Sequence, residues 1–246
     1  MKKTLIFLTV LLISFTTVSA QKMSVEKILK QHFKAIGQKK LSTVNTMKIT
    51  GTNAIMGMEL PFSMQTKRPG LIRVEADIQG AKMIQTYNGK EGYMVAPWTG
   101  STDPQLMDES QLDDLKGNSD IDGKLYNYKE KGSTIEYIGS EDINGVPAYK
   151  LKLTEKPAAE GQTGKTSYFF IDSKTNNVVK TLTTSNMQGV DTEVETVFSD
   201  FRTVDGVVMS YKMEINANGS NFSTLVFEDV KFNVEMDNSI FEKPAN

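Results

Sequence analysis

Of the five Asn-Gly or Asp-Gly dipeptides in this chain, four, at 88–89, 144–145, 205–206 and 218–219, lie between runs in which apolar and polar residues alternate. Such pairs accept the positive backbone angles of tight turns, and a two-residue turn joins only antiparallel neighbours. Met56, Met58, Leu60, Phe62 and Met64 alternate with Ile55, Gly57, Glu59, Pro61 and Ser63, which predicts a half-buried strand over 55–64. Pro61 places that strand at an edge or on a bulge. Further runs cover 71–78, 82–87, 92–98, 135–140, 146–154, 195–201, 207–215 and 222–230. The chain therefore reads as mainly β, with about ten or eleven antiparallel strands.

Two segments break the period of two. Val25, Ile28, Leu29, Phe33 and Ile36 fall on one helical face, with Ser24 as N-cap and Gly37 as the stop, and Lys39 to Thr43 extends this by a short turn. The acidic stretch 103–116 predicts one or two short helices beginning at Asp103-Pro104, with Leu106, Met107 and Leu112 turned inward. Residues 158–165 read as a loop.

Met1 to Ala20 has the order of a secretory signal: Lys2 and Lys3, an apolar run from Leu5 to Phe15, then Val18-Ser19-Ala20 as the cleavage site. The expectation is a chain of 21–246 forming one domain, exported to the periplasm, with no cysteine to take a lipid anchor. Without the two signal lysines the formal charge moves from −2 to −4, which excludes a generally basic nucleic-acid binder. The lack of cysteine excludes disulfides, thiolate metal sites and thiol catalysis.

Little in the sequence offers chemistry. His32 is the single histidine, no Gly-x-Ser-x-Gly elbow accompanies it, and it reads as a partly exposed helix residue. Asn118 to Gly123 opens like a calcium loop, yet Lys129 stands where the bidentate Glu belongs, so an Asp-rich turn is the simpler reading and no metal is expected. Asp108, Glu109, Asp113 and Asp114 read as a solvated helix face. No catalytic residue and no cofactor are expected.

Methionine is unusual. Of 13, seven fall on predicted strands: Met56, Met58, Met64, Met83, Met94, Met209 and Met213. Met suits apolar surfaces that accept variable ligands, and it also fills gaps in ordinary cores. A curved sheet around one helix would leave part of its concave face unfilled, a cavity fit for acyl chains. Candidate lining residues are Met56, Met58, Leu60, Phe62, Met64, Met94 and Trp98; alternation groups them by face without saying which face is concave.

Thr66-Lys-Arg-Pro-Gly-Leu-Ile-Arg73, followed by Tyr87-Asn-Gly-Lys-Glu-Gly-Tyr-Met94, resembles the lipoprotein-carrier family typified by LolA. Ala35-Ile-Gly37, Asp120 to Lys129, Gly145 to Thr154, Tyr168 to Asp172, Phe198 to Arg202 with Asp205-Gly206, and Ile240 to Pro244 resemble its Bacteroidota outer-membrane lipoprotein-sorting branch. The resemblance implies an incomplete antiparallel β-barrel around an apolar cavity, with the 103–116 insert as lid. It implies that Arg68 bonds lid carbonyls and holds the empty carrier closed, with Leu106, Met107 and Leu112 as lid contacts. Acylated lipoprotein or another lipid would be the cargo of a monomer, with an inner-membrane lipoprotein exporter and an outer-membrane acceptor as partners. Arg73 and the strands after about residue 160 depart from the minimal carrier. Two other classes remain open: a periplasmic structural or regulatory module that binds a protein and no lipid, and a hydrolase, for which no convergent acid and base are seen.

Overall fold

The computed structural model describes residues 24–55, 57–157, 162–187 and 190–245. The signal segment 1–20, its cleavage site and Met56 lie outside the described residues, as do 158–161 of the expected loop.

The N-terminal helix α1 (Val25–Ile36) forms where the periodicity puts it. The Ser24 side chain accepts from Lys27 N–H, and Gly37 closes the helix at φ 74°. Glycine is needed at 37 for a second reason, since a Cβ there would sit 2.1 Å from the Gly206 carbonyl oxygen. A short α2 (Gln38–Leu41) follows.

Among the described residues the strands form one open antiparallel sheet of thirteen, more than the ten or eleven expected. The first six are β1 (Thr46–Ile55), β2 (Met58–Lys67), β3 (Leu71–Ile78), β4 (Ala81–Tyr87), β5 (Gly92–Val95) and β6 (Gln105–Leu106). The rest are β7 (Thr134–Ile143), β8 (Val146–Thr154), β9 (Thr166–Asp172), β10 (Val178–Met187), β11 (Val190–Val204), β12 (Val207–Ala217) and β13 (Ser220–Phe232). Each half is a meander of hairpins, and β1 joins them by pairing with β13. The edges are therefore β6, two residues long, and β7, whose alternating pattern carries Glu136, Glu141 and Asp142; both are short or charged, as exposed edges tend to be. Helix α3 (Glu109–Ser119) and the turns after it cross from one edge to the other.

Two expectations are corrected here. The run 55–64 is not one strand: Ile55 ends β1, Gly57 (φ 79°) is in the turn, and Met58 begins β2. Nor is Pro61 on an edge strand, since β2 lies between β1 and β3; it opposes Thr52 of β1 and stands one residue past the end of the β2–β3 ladder at Phe62–Ala76. Among the described residues no helix is long and apolar enough to cross a membrane.

The C-terminal residues after β13 run back over the outer face of β1–β4. Thr46 Oγ1 donates to Val234 O, Lys67 to Met236 O and Arg73 Nη1 to Ile240 O. Phe241 is fully buried there. This strap accounts for Arg73, the departure from the carrier pattern.

Candidate functional site

Residues opposed across a ladder rung share one face of the sheet. Following rungs from Leu151 through Phe169, Thr181, Thr196, Ile215, Ser223 and Ile55 leads to Met58. A second path runs from Met64 through Val74 and Gln85 to Met94. Met58, Leu60, Phe62, Met64 and Met94 thus share the inner face, the one on which α1, α2 and the α3 segment pack.

Three clusters fill most of that face. Ile28 and Leu29 of α1 pack on Leu151, Leu153 and Ile171. Val44 and Ile121 pack on Met47, Ile49, Tyr211 and Phe227, with Phe62 and Met64 at the border. Met107 and Leu115 pack on Ile72, joined by Met64, Val74, Tyr87, Met94 and Leu112. Beyond the clusters a stretch of half-buried apolar residues remains on the same face: Ile55, Leu60, Ile78, Met83, Ile215 and Phe198. Met58 marks its rim at 41% exposure.

Trp98 and Leu106 are not on this wall. Pro97 cannot continue β5, so residues 97–99 form a 3-10 turn and leave Trp98 62% exposed. Leu106 pairs with Tyr93 on the opposite face and is 64% exposed. The expected helix start at Asp103-Pro104 also fails. Gln105–Leu106 is β6, and α3 begins at Asp108, whose carboxylate accepts from Gln111 N–H while the Gln111 side chain accepts from Asp108 N–H.

Helix α3 is anchored on the sheet by a few apolar side chains. Met107, at 6% exposure, and Leu112 and Leu115 are its apolar contacts with the sheet, and Gly117 weakens the helix interior. Gly92 lets it come close, since a Cβ there would meet Leu112 Cδ1 at 2.6 Å and Met107 Sδ at 3.1 Å. Lys116 Nζ stands 5.4 Å from the Tyr87 ring centroid, beside a recess of about 300 Å³ lined by Pro69, Gly70, Leu71, Tyr87, Gly89, Lys116 and Ser119.

Arg68 joins the elements around the lid but does not bond the lid helix itself. Its Nε donates to Val44 O at 2.7 Å, just after α2, and Nη2 to Leu41 O at 3.3 Å, at the end of α2. Its Nη1 donates to Asp122 Oδ2 at 2.5 Å, three residues beyond α3. Asp122 also accepts from Gln38 Nε2 at 2.9 Å and from Ser42 Oγ at 3.4 Å. Sequence reasoning missed Asp122 as a partner because it read 118–123 as an isolated turn. The neighbouring Asp120 accepts from Lys131 Nζ at 2.5 Å, so both carboxylates face side-chain cations.

His32 is buried, at 6% exposure, not partly exposed as expected. Its Nδ1 lies 2.8 Å from Asn176 O, which can only accept, so Nδ1 carries the proton. Burial against the β9–β10 turn holds its pKa below the ordinary 6.5, and the hydrogen bond to Asn176 only partly opposes this.

No family model matches the chain. No curated protein matches it either. Solved structures do. A DUF1329 family protein from Desulfovibrio piger superposes with a TM-score of 0.59 at 14% identity, covering 87% of this chain and 97% of that one. A LolA superfamily protein from Nitrosomonas europaea gives 0.59 at 15% identity, covering 90% and 98%. A domain from Vibrio parahaemolyticus described as an outer membrane lipoprotein-sorting protein gives 0.57 at 11% identity, covering 88% and 97%. At these identities the likeness is one of fold, and the fold of this chain is LolA-like.

Proposed function

We propose, from a chain with a LolA-like fold, that this protein is an exported, non-enzymatic binder of acyl chains that carries lipoproteins or another lipid through the periplasm. The observation that supports the reading is the half-buried apolar stretch from Met58 and Leu60 to Ile215 and Phe198, left outside the three packed clusters. Met58, Leu60, Phe62, Met64 and Met94 would touch the ligand, with Met107, Leu112 and Arg68 governing access. Trp98 and Leu106 are dropped from these roles because they point elsewhere.

The energies are of the right relative size. Exposing Met107, Leu112 and Leu115 costs about 5–9 kcal/mol at about 1.5–3 kcal/mol each, the lower end applying because Leu112 is only half-buried. About ten acyl methylenes at about 0.8 kcal/mol each recover about 8 kcal/mol. Closed and loaded states of comparable free energy are what a carrier that must release its cargo requires.

A second reading has its own support. The three packed clusters fill much of the inner face with the protein's own side chains, as a module that binds a protein partner and no lipid would need. Native mass spectrometry on protein purified from its own periplasm without detergent separates the two. A mass shift matching a triacylated peptide identifies a lipoprotein carrier, and a phospholipid-sized shift a lipid-binding relative. A bare mass, unchanged after incubation with lipid, removes the carrier reading and leaves the partner-binding module.

A further inference from the structure

The outer face of the α1–α2 layer is basic in a molecule that is acidic overall. Residues 24–41 hold Lys27, Lys30, Lys34, Lys39 and Lys40 against the single acid Glu26, in a chain whose formal charge is −2. All five lysines are exposed. On α1, Lys27, Lys30 and Lys34 recur at i, i+3 and i+7, opposite the face that buries Ile28, Leu29 and His32.

Several lysines of the sheet are held in ion pairs. Lys150 and Lys180 are tied to Glu141, Lys212 to Glu214 and Lys231 to Asp229. Glu26 stands one helical turn before Lys30 and could neutralise it, yet it lies 3.7 Å from Lys129. Among the described residues none of the five helix lysines is within an ion pair. Lys174, exposed on the β9–β10 turn that receives His32, adds a further positive charge, and Asp205, exposed beside the Gly206 that meets Gly37, is the opposing one.

We infer that this face docks the protein on an anionic phospholipid surface. A bilayer suits it because exposed lysines on flexible stems, with no pocket or fork geometry among them, match a diffuse sheet of headgroup charge and not one fixed anion. The inference rests on the acyl-chain reading for its choice of a bilayer over an acidic protein, since acyl cargo resides in membranes. Docking is electrostatic and reversible, so a protein acidic overall approaches the membrane with its helical layer foremost and leaves it as salt rises.

The test is co-sedimentation of the full chain with phosphatidylcholine vesicles made with and without phosphatidylglycerol. Binding is expected only to the anionic vesicles and is lost at high salt. The triple variant Lys27→Gln, Lys30→Gln, Lys34→Gln should weaken partitioning about a hundredfold, at roughly fivefold per lysine. Lys39→Gln with Lys40→Gln is a second variant on the other helix, expected to weaken it about twenty-five-fold. Circular dichroism confirms that each variant is folded. Equal binding to neutral vesicles, unchanged binding of both variants, or capture of polyglutamate without capture of anionic vesicles would each overturn the inference. A fluorescent fatty acid, titrated separately, keeps the two readings apart. Probe binding without vesicle binding defeats the docking face alone, and vesicle binding without probe binding upholds it while removing the carrier.

Discussion

Arg68 does more at the level of single residues than its place in a turn suggests. Three of its nitrogens hold two carbonyls at and just beyond the end of α2 and the carboxylate of Asp122. Arg68→Leu strands that carboxylate on Gln38 and Ser42, and the loss of hydrogen bonds to a charged group should cost about 1.5–3 kcal/mol. In the carrier reading the same variant retains cargo when mixed with acceptor vesicles, and release kinetics equal to those of the parent protein would count against it. His32 makes a pH-dependent contribution of defined sign. Its folded pKa lies below the unfolded 6.5, so the unfolded chain takes up the proton first. Stability from His32 is therefore complete above pH 6.5 and declines as pH falls below it. His32→Gln should flatten that part of a denaturant-midpoint series run from pH 7.5 down to about pH 5.

Among the elements, the lid and the C-terminal strap differ in how they are held. Helix α3 has eleven residues, a length marginal in isolation, and depends on three apolar anchors. Gly92→Val places methyl groups where Leu112 Cδ1 and Met107 Sδ now lie, so the lid should lift. Amide hydrogen exchange over 109–119 should quicken while that of β3 and β4 stays as it is. The strap has a single deep anchor. Phe241 is fully buried, and Phe241→Ala should cost about 3–5 kcal/mol in a denaturant melt. The beginning of α3 shows why element boundaries escape local reading. Pro104 is a plausible first helical residue, but pairing of 105–106 with β5 pulls it out of the helix and leaves the reciprocal cap at Asp108 to start it.

The molecule as a whole is a sheet whose two meanders meet at β1 and β13 and whose edges are bridged by a helical layer. A ligand seated between sheet and lid would bind the folded chain alone. Saturation at a hundred times Kd should add about 2.7 kcal/mol, a rise in Tm of about 5–10 °C for a domain of this size. Differential scanning fluorimetry with a fatty acid, against a short-chain control, measures it. No shift with any acyl ligand would favour the partner-binding module.

The hairpins, the capped first helix and the shared face of Met58, Leu60, Phe62 and Met64 were legible because each depends on neighbours within a few residues. A positive φ at Asn144 or Asp205, a cap at Ser24 and a period of two are local requirements. The LolA-like likeness was legible too, through the order of short motifs around Arg68-Pro69 and Asn88-Gly89. The pairing of β1 with β13 was not, because its rungs join residues more than 160 positions apart and their register is chosen by total burial. For the same reason the burial of His32, the outward turn of Leu106 and the meeting of Arg68 with Asp122 were decided only by the tertiary structure. Alternation says which side chains travel together, and only the packing of the helices decides which side becomes the inside.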